Sequence, residues 1–257
     1  MELPLFTNME IETQGDCNRT CNTCLRQSYI HKDNVTHQGR FPVTTKIGQG
    51  TKMPTATFES IIDQTADMGF SGNICLQHYN EPLLDERLPE LAQYVKDKVE
   101  SVRQVSACTN MDLITEETAE KLDGVMDQLQ VALYMPREKQ IKREKYILSL
   151  FKKTRIDFTQ GVHIITHYSP FRNTKEAVES SQGRPCFMGN NSMMFAYDGT
   201  VLHCCDDYVG HFGLGNINTM TLKEIWESKK LRQLIEDLSV PGGRMKYSYC
   251  STCPRSG

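Results

Sequence analysis

Met9-Glu10-Ile11-Glu12-Thr13 alternates apolar with polar residues, the period of a short strand, and runs directly into a loop of three cysteines. Phe58, Ile61, Ile62 and Thr65 recur at helical spacing, which predicts a helix from Phe58 to Met68 capped by Thr57. Asn73 to Tyr79 reads as a buried strand, and Leu88, Leu91, Ala92, Val95 and Val99 as one side of the helix that follows. Gln104 to Thr109 is a strand. Thr115 then caps a helix whose first turn carries Glu116 and Glu117, where the helix dipole favours acids. Gln130 to Tyr134 predicts a strand, Glu138 to Lys153 a basic helix with a solvated face, and Ile156 to Ile165 one or two further strands. Alternation of this kind implies right-handed βαβ units and a parallel sheet. Five or six units make a partial barrel, since eight need more chain.

The pattern changes near Gly183. Met193 to Tyr197 and Thr200 to His203 flank Asp198-Gly199, a hairpin turn signal. Thr221 and Glu224 have capping-box spacing, with Met220 and Ile225 placed for a hydrophobic staple. Leu222, Ile225, Trp226, Leu234, Ile235 and Leu238 line the apolar face of the helix that follows. The expected class is therefore α/β. A partial (β/α)6 barrel occupies residues 1–182, and a small β-hairpin-plus-helix unit occupies 183–257. A unit so small has little core and gains from a metal staple. The polar stretch from His31 to Thr55, with Pro42, Gly48, Gly50 and Pro54, is long for a connection and suits a lid or substrate wall.

A formal net charge of −3 gives no reason to expect a nucleic-acid or anionic-membrane partner. Met1 to Gln14 lacks the basic start and apolar run of a signal peptide, so a cytoplasmic location is the expectation. Ten cysteines are many for a reducing compartment, where clustered thiols more often bind metal than form disulfides. Cys17, Cys21 and Cys24 have C-x3-C-x2-C spacing, and three thiolates on one loop can hold three corners of a cubane cluster. The fourth iron is then open to a ligand, the logic of a catalytic site. On spacing alone, zinc with a fourth ligand from elsewhere is the alternative. Cys186, Cys204, Cys250 and Cys253 form a second set, for which structural zinc is again the alternative. Cys205 could exchange with Cys204, and the hairpin offset favours Cys204. Cys75 and Cys108 read as small buried hydrophobes within strands.

The C-x3-C-x2-C loop after the first strand resembles that of the radical S-adenosylmethionine superfamily. Three further segments extend the resemblance. His78-Tyr79-Asn80-Glu81-Pro82 resembles the motif that holds the cofactor's amino group, with Asn80 in place of a glycine. Thr109-Asn110-Met111 resembles a T-N-G segment, with Met111 in place of glycine. The C-terminal set, with Gly215-Asn216-Ile217 and the final C-x2-C, resembles the twitch or SPASM extension. Thr23 departs from the aromatic residue that usually precedes the third cysteine. The resemblance implies S-adenosylmethionine and two [4Fe–4S] clusters. One, radical-generating, is held by Cys17, Cys21 and Cys24; the other, auxiliary, by Cys186, Cys204, Cys250 and Cys253. Glu81, Asn80 and Asn110 are the implied cofactor-binding residues. Arg172 is the implied catalytic residue, binding a substrate hydroxyl by charge rather than acting as a base.

Motif order and chain length are most similar to the twitch-bearing dehydrogenases of that superfamily. The expected function is hydrogen abstraction from a small polar, sugar- or cyclitol-like substrate, with the auxiliary cluster as electron acceptor. Implied partners are that substrate or a peptide, and a flavodoxin- or ferredoxin-type reductant; a monomer is expected. The alternatives are a peptide-modifying radical maturase and a non-catalytic iron–sulfur or zinc-binding protein. His163 and His167 share a strand face and suit a polar barrel lining, and His78 is placed to face substrate.

Overall fold

The computed structural model describes residues 4–21, 24, 51–159, 175–207 and 210–253. The chain runs β1 (Asn8–Ile11), α1 (Thr55–Asp67), β2 (Asn73–Cys75), α2 (Leu88–Lys98), β3 (Gln104–Thr109) and α3 (Glu116–Leu122). It continues with β4 (Gln128–Val131), α4 (Arg137–Leu150), β5 (Arg155–Phe158), α5 (Lys175–Gln182), β6 (Ser192–Phe195) and β7 (Val201–Leu202). Three helices close it: α6 (Leu222–Trp226), α7 (Lys229–Leu238) and α8 (Ser248–Ser251). The seven strands form one open sheet in the order β5-β4-β3-β2-β1-β6-β7. Neighbours β1 to β6 pair in parallel and only β7 is antiparallel. This is the expected parallel α/β layout of a partial barrel. The hairpin's place in it was not expected. β6 does not start a sheet of its own but adds to the free edge of β1, with Met9 opposite Met193 and Ile11 opposite Phe195.

Residue alternation along the strands sorts the two faces. Met9, Ile11, Ile74, Val105, Ala107, Leu129 and Val131 are buried in the main core with the helices. The intervening residues include Glu10, Cys75, Cys108, Gln130 and Asp157, so the other face of the sheet is polar. One core runs through both halves of the chain: Phe6 packs on Trp226 with ring centroids 5.1 Å apart. The Thr57 hydroxyl donates to Asn218 at 2.7 Å, and Leu222 N–H donates to the Gln64 side chain at 2.7 Å.

Several local expectations are corrected. Thr57 lies inside α1, which starts two residues earlier behind Pro54 and has no side-chain cap. The strand expected from Asn73 to Tyr79 stops at Cys75. The single helix expected after Thr221 is two. The Thr221–Glu224 capping box starts α6, which ends at Trp226, and Ser228 accepts from Leu231 N–H to start α7. A strong cap in mid-pattern breaks a helix that apolar periodicity alone joins. Cys75 and Cys108 are half-buried and lie on the polar face of adjacent strands, where the Cys108 thiol donates to the Gln130 side chain at 3.3 Å.

Candidate active site

β1 delivers the chain to Gln14, whose side chain donates to the carbonyls of Asp16 (3.1 Å) and Glu81 (2.8 Å). Glu81 N–H donates in return to the Asp16 carbonyl at 2.8 Å. The start of the cysteine loop is thus stitched to the segment that follows β2. Between them, Gly15 lies against Tyr197 of the hairpin so closely that an added Cβ would sit 2.5 Å from the ring. Cys24 N–H donates to the Cys21 carbonyl at 2.9 Å, which turns these two residues together.

The three thiols share one neighbour, Tyr134, which follows β4. Burial, then the nearby thiols of Cys21, Cys24 and Cys17, hold its phenol well above the usual tyrosine range. Burial likewise raises the Cys21 thiol, while Arg19 opposes that shift. The Arg19 guanidinium lies 4.9 Å from the Tyr134 ring centre and forms a bidentate pair with Asp112 at 2.5 and 2.7 Å. Asn18 donates to the same carboxylate at 3.2 Å and accepts from Asn110 Nδ2 at 2.8 Å. The loop is therefore pinned across the C-terminal ends of β2, β3 and β4. Tyr134, Arg19 and Asp112 escaped the sequence reading. Only the position of Tyr134 at the end of a predicted strand hinted at it.

Glu81 is buried and spends both carboxylate oxygens on the chain. One accepts from the Thr109 hydroxyl (2.5 Å) and Leu83 N–H (3.1 Å), the other from Asn110 N–H (2.8 Å). Burial pushes the carboxyl up to about 7, against the pull of these donors. Asn80 is buried, accepts from His78 N–H at 3.0 Å, and leaves Nδ2 without a hydrogen-bond partner among the described residues. Asn110 Oδ1 accepts from Asp112 N–H at 2.9 Å. Between them Met111 holds φ 55°, the one positive-φ residue other than glycine among those described. Glycine adopts that backbone region without steric cost, which accounts physically for glycine at this place in the resembling motif.

In the C-terminal segment the structure brings Cys186, Cys250 and Cys253 together. Burial pushes the Cys250 thiol up to about 12, reinforced by the other two and opposed by Arg244. The Arg244 side chain is itself buried, donating to the carbonyls of Arg184 (3.1 Å) and Pro185 (3.3 Å). Cys204 and Cys250 have Asp207 as a shared neighbour, whose carboxyl burial pushes up to about 6 although backbone N–H groups of His203, His211 and Phe212 donate to it. The Cys205 carbonyl accepts from the Tyr79 hydroxyl at 2.5 Å, and Tyr79 also feels the charge of Cys24. Among the described residues, no three His, Cys, Asp or Glu side chains close around a single-ion-sized point. Arg172, His163 and His167 lie outside the described residues.

The donor sets fit iron–sulfur clusters. Each is made of thiols, the ligands of such clusters: Cys17, Cys21 and Cys24 follow the C-terminal end of β1, whereas Cys186 precedes β6 and Cys204 follows the antiparallel β7. The open, mostly parallel sheet has the partial-barrel fold of solved radical S-adenosylmethionine enzymes. Residues 186–254 match the SPASM iron–sulfur cluster-binding domain. The chain superposes on BtrN in complex with AdoMet and 2-DOIA with TM-score 0.74 at 19% identity, covering 99% of this chain and 95% of that one. Native anSMEcpe with bound AdoMet gives TM-score 0.59 at 16% identity, covering 98% and 88%. Among characterised relatives, the S-adenosyl-L-methionine-dependent 2-deoxy-scyllo-inosamine dehydrogenase of Niallia circulans is 23% identical over 252 residues, 97% of this chain and 93% of that protein. Among the described residues no helix is long and apolar enough to cross a membrane.

Proposed function

We propose that this chain is a radical S-adenosylmethionine dehydrogenase that oxidises a carbinol carbon of a small polar, cyclitol-like molecule to a ketone. The observation that carries the reading is the gathering of Cys17, Cys21 and Cys24 about Tyr134 at the mouth of a polar-faced parallel sheet. In this reading those three residues hold the radical-generating cluster, and Cys186, Cys204, Cys250 and Cys253 hold the auxiliary one. When bound, these groups and S-adenosylmethionine supply a 5′-deoxyadenosyl radical that takes a hydrogen atom from carbon, and an acceptor for the electron left behind.

The chain's own residues bind and orient. Asn80 and Asn110 flank the cofactor's side of the mouth. Glu81, its oxygens engaged, acts by fixing the ends of β2 and β3 and by its charge. Arg19 and Asp112 keep the loop in register with Tyr134. Arg172 orients a substrate hydroxyl. Residues 1–182 serve as the radical-generating barrel and 183–257 as the auxiliary-cluster segment, in a cytoplasmic monomer reduced by a flavodoxin or ferredoxin.

Anaerobic reconstitution followed by iron and sulfide analysis, with dithionite and S-adenosylmethionine added, tests the reading. About eight irons per chain and release of 5′-deoxyadenosine are expected, since each cubane holds about four. Cys21→Ala abolishes that release; Cys250→Ala spares it and blocks ketone formation. Zinc in place of iron, or no release, overturns the proposal, and a modified peptide in place of a ketone transfers the function to the maturases.

A further inference from the structure

Turning an alcohol into a ketone removes a hydrogen atom from carbon, an electron, and a proton from oxygen. The proposed function accounts for the first two. The proton needs an acceptor, and two buried acids of the site are already engaged. Glu81 receives three donors, and so does Asp207. Arginine holds its proton too tightly to serve.

His78 is different. It follows β2, four residues after Ile74, and its ring is buried edge-on against Tyr79, with centroids 4.4 Å apart at 79°. Its Nδ1 lies 2.8 Å from Glu10 Oε2. Glu10 comes from the polar face of β1 and is half-exposed, so the carboxylate reaches His78 from inside the partial barrel. His78 is also within electrostatic reach of Asp207, the shared neighbour of Cys204 and Cys250. Tyr79, against which the ring stacks, feels Cys24. A carboxylate on Nδ1 fixes the tautomer with the hydrogen there and leaves Nε2 as the lone-pair nitrogen. That nitrogen is buried and has no hydrogen-bond partner among the described residues. A buried polar atom without a partner calls for an explanation, and a ligand hydroxyl supplies one.

We propose that His78 is a catalytic residue, its Nε2 accepting the proton of the substrate hydroxyl, and that Glu10 is the positioning residue that sets its tautomer. The inference rests on the dehydrogenase reading. As the carbon gives up its hydrogen atom, the O–H bond breaks toward Nε2. The O–H electron pair stays on oxygen, one electron passes to the auxiliary acceptor, and the C=O bond forms. The imidazolium so produced is stabilised by Glu10 and returns its proton to solvent after release.

The test uses the full-length holoprotein with 2-deoxy-scyllo-inosamine as the probe. With S-adenosylmethionine present and no reductant, calorimetric binding to His78→Gln is expected within about threefold of the unsubstituted protein, because glutamine keeps a hydrogen-bonding group in place. With reductant, ketone formation falls about 100-fold or more, in kcat rather than KM, the usual contribution of a general base. Glu10→Gln gives a smaller fall in kcat. Binding lost in proportion to turnover, or turnover within threefold of the unsubstituted protein, overturns the assignment. A second readout needs no turnover. In full-length protein labelled with 15N-histidine, the His78 signal is expected to show the Nδ1–H tautomer, and a mixture in Glu10→Gln. Identical tautomers in the two proteins overturn the inference. Failure of the dehydrogenase reading registers separately, as no 5′-deoxyadenosine, or 5′-deoxyadenosine without ketone, from the unsubstituted protein.

Discussion

The hydroxyl of Thr109 donates to the carboxylate of Glu81 at 2.5 Å and so locks the end of β3 to the segment after β2. The contact is buried, and the same carboxylate is raised to about 7 by burial. An acid whose folded pKa lies above its unfolded value binds its proton more tightly in the fold. Its contribution to stability is therefore present below the unfolded value of 4.5 and is lost as pH rises through about 7. The span corresponds to roughly 3 kcal/mol, at about 1.4 kcal/mol per unit. Denaturant titrations at pH 5 and pH 8 should show that slope in the unsubstituted protein and its absence in Glu81→Gln. The variant should also be weaker by about 1–3 kcal/mol at pH 8, because an amide N–H then faces a backbone donor.

Met111 gives an inverted ranking. Its side chain is fully buried and its backbone holds φ 55°. Met111→Ala should cost about 2–5 kcal/mol for the lost packing. Glycine removes one carbon more yet relieves backbone strain of about 1–3 kcal/mol. Chemical denaturation should therefore find Met111→Gly no less stable than Met111→Ala, the reverse of their order in a helix.

Gly15→Ala should disturb the cysteine loop at a distance from any thiol. The new methyl meets the Tyr197 ring at 2.5 Å, and that ring is buried in the main core. Over-packing of this kind costs about 1–3 kcal/mol. Iron content after reconstitution should fall with stability, and Gly15→Ala combined with Tyr197→Leu should recover part of both.

The two helix starts near the C-terminus can be weighed separately. Thr221 shares a capping box with Glu224, and Ser228 caps α7. Thr221→Ala and Ser228→Ala should each cost about 1 kcal/mol in thermal or denaturant unfolding. An unbroken helix through Ser228 would instead be strengthened by alanine there, so the sign of that change is diagnostic.

What the sequence made legible was local. β3 has the expected ends, the helix after Thr115 is capped as its residues require, and the Asp198-Gly199 turn carries Gly199 at φ 82°. Each is decided by residues within a few positions of one another. The split at Ser228 is also local, but two signals compete there and the cap prevails over the apolar period. Contacts between distant segments were not legible. Tyr134 meets the cysteines from far along the chain, and Arg19 finds Asp112 across 93 positions. The cysteine spacing suggests ligands, whereas the clamp around them is formed by residues with no spacing to read. Cys75 and Cys108 show the same limit. A strand pattern says that a residue is in a sheet, but only the sheet's neighbours tell which face is wet.

The pairing of β6 with β1 bears on any attempt to divide the molecule. The strand that leads into the first cysteine loop is flanked by β2 on one side and by the auxiliary segment's β6 on the other. A fragment ending at residue 182 would bare the backbone of β1 along that whole side, and an open row of N–H and C=O groups invites association with other chains. Shortening the protein should therefore yield sticky, self-associating material rather than a miniature enzyme, and strain introduced at either cysteine segment has a direct covalent and hydrogen-bonded route to the other.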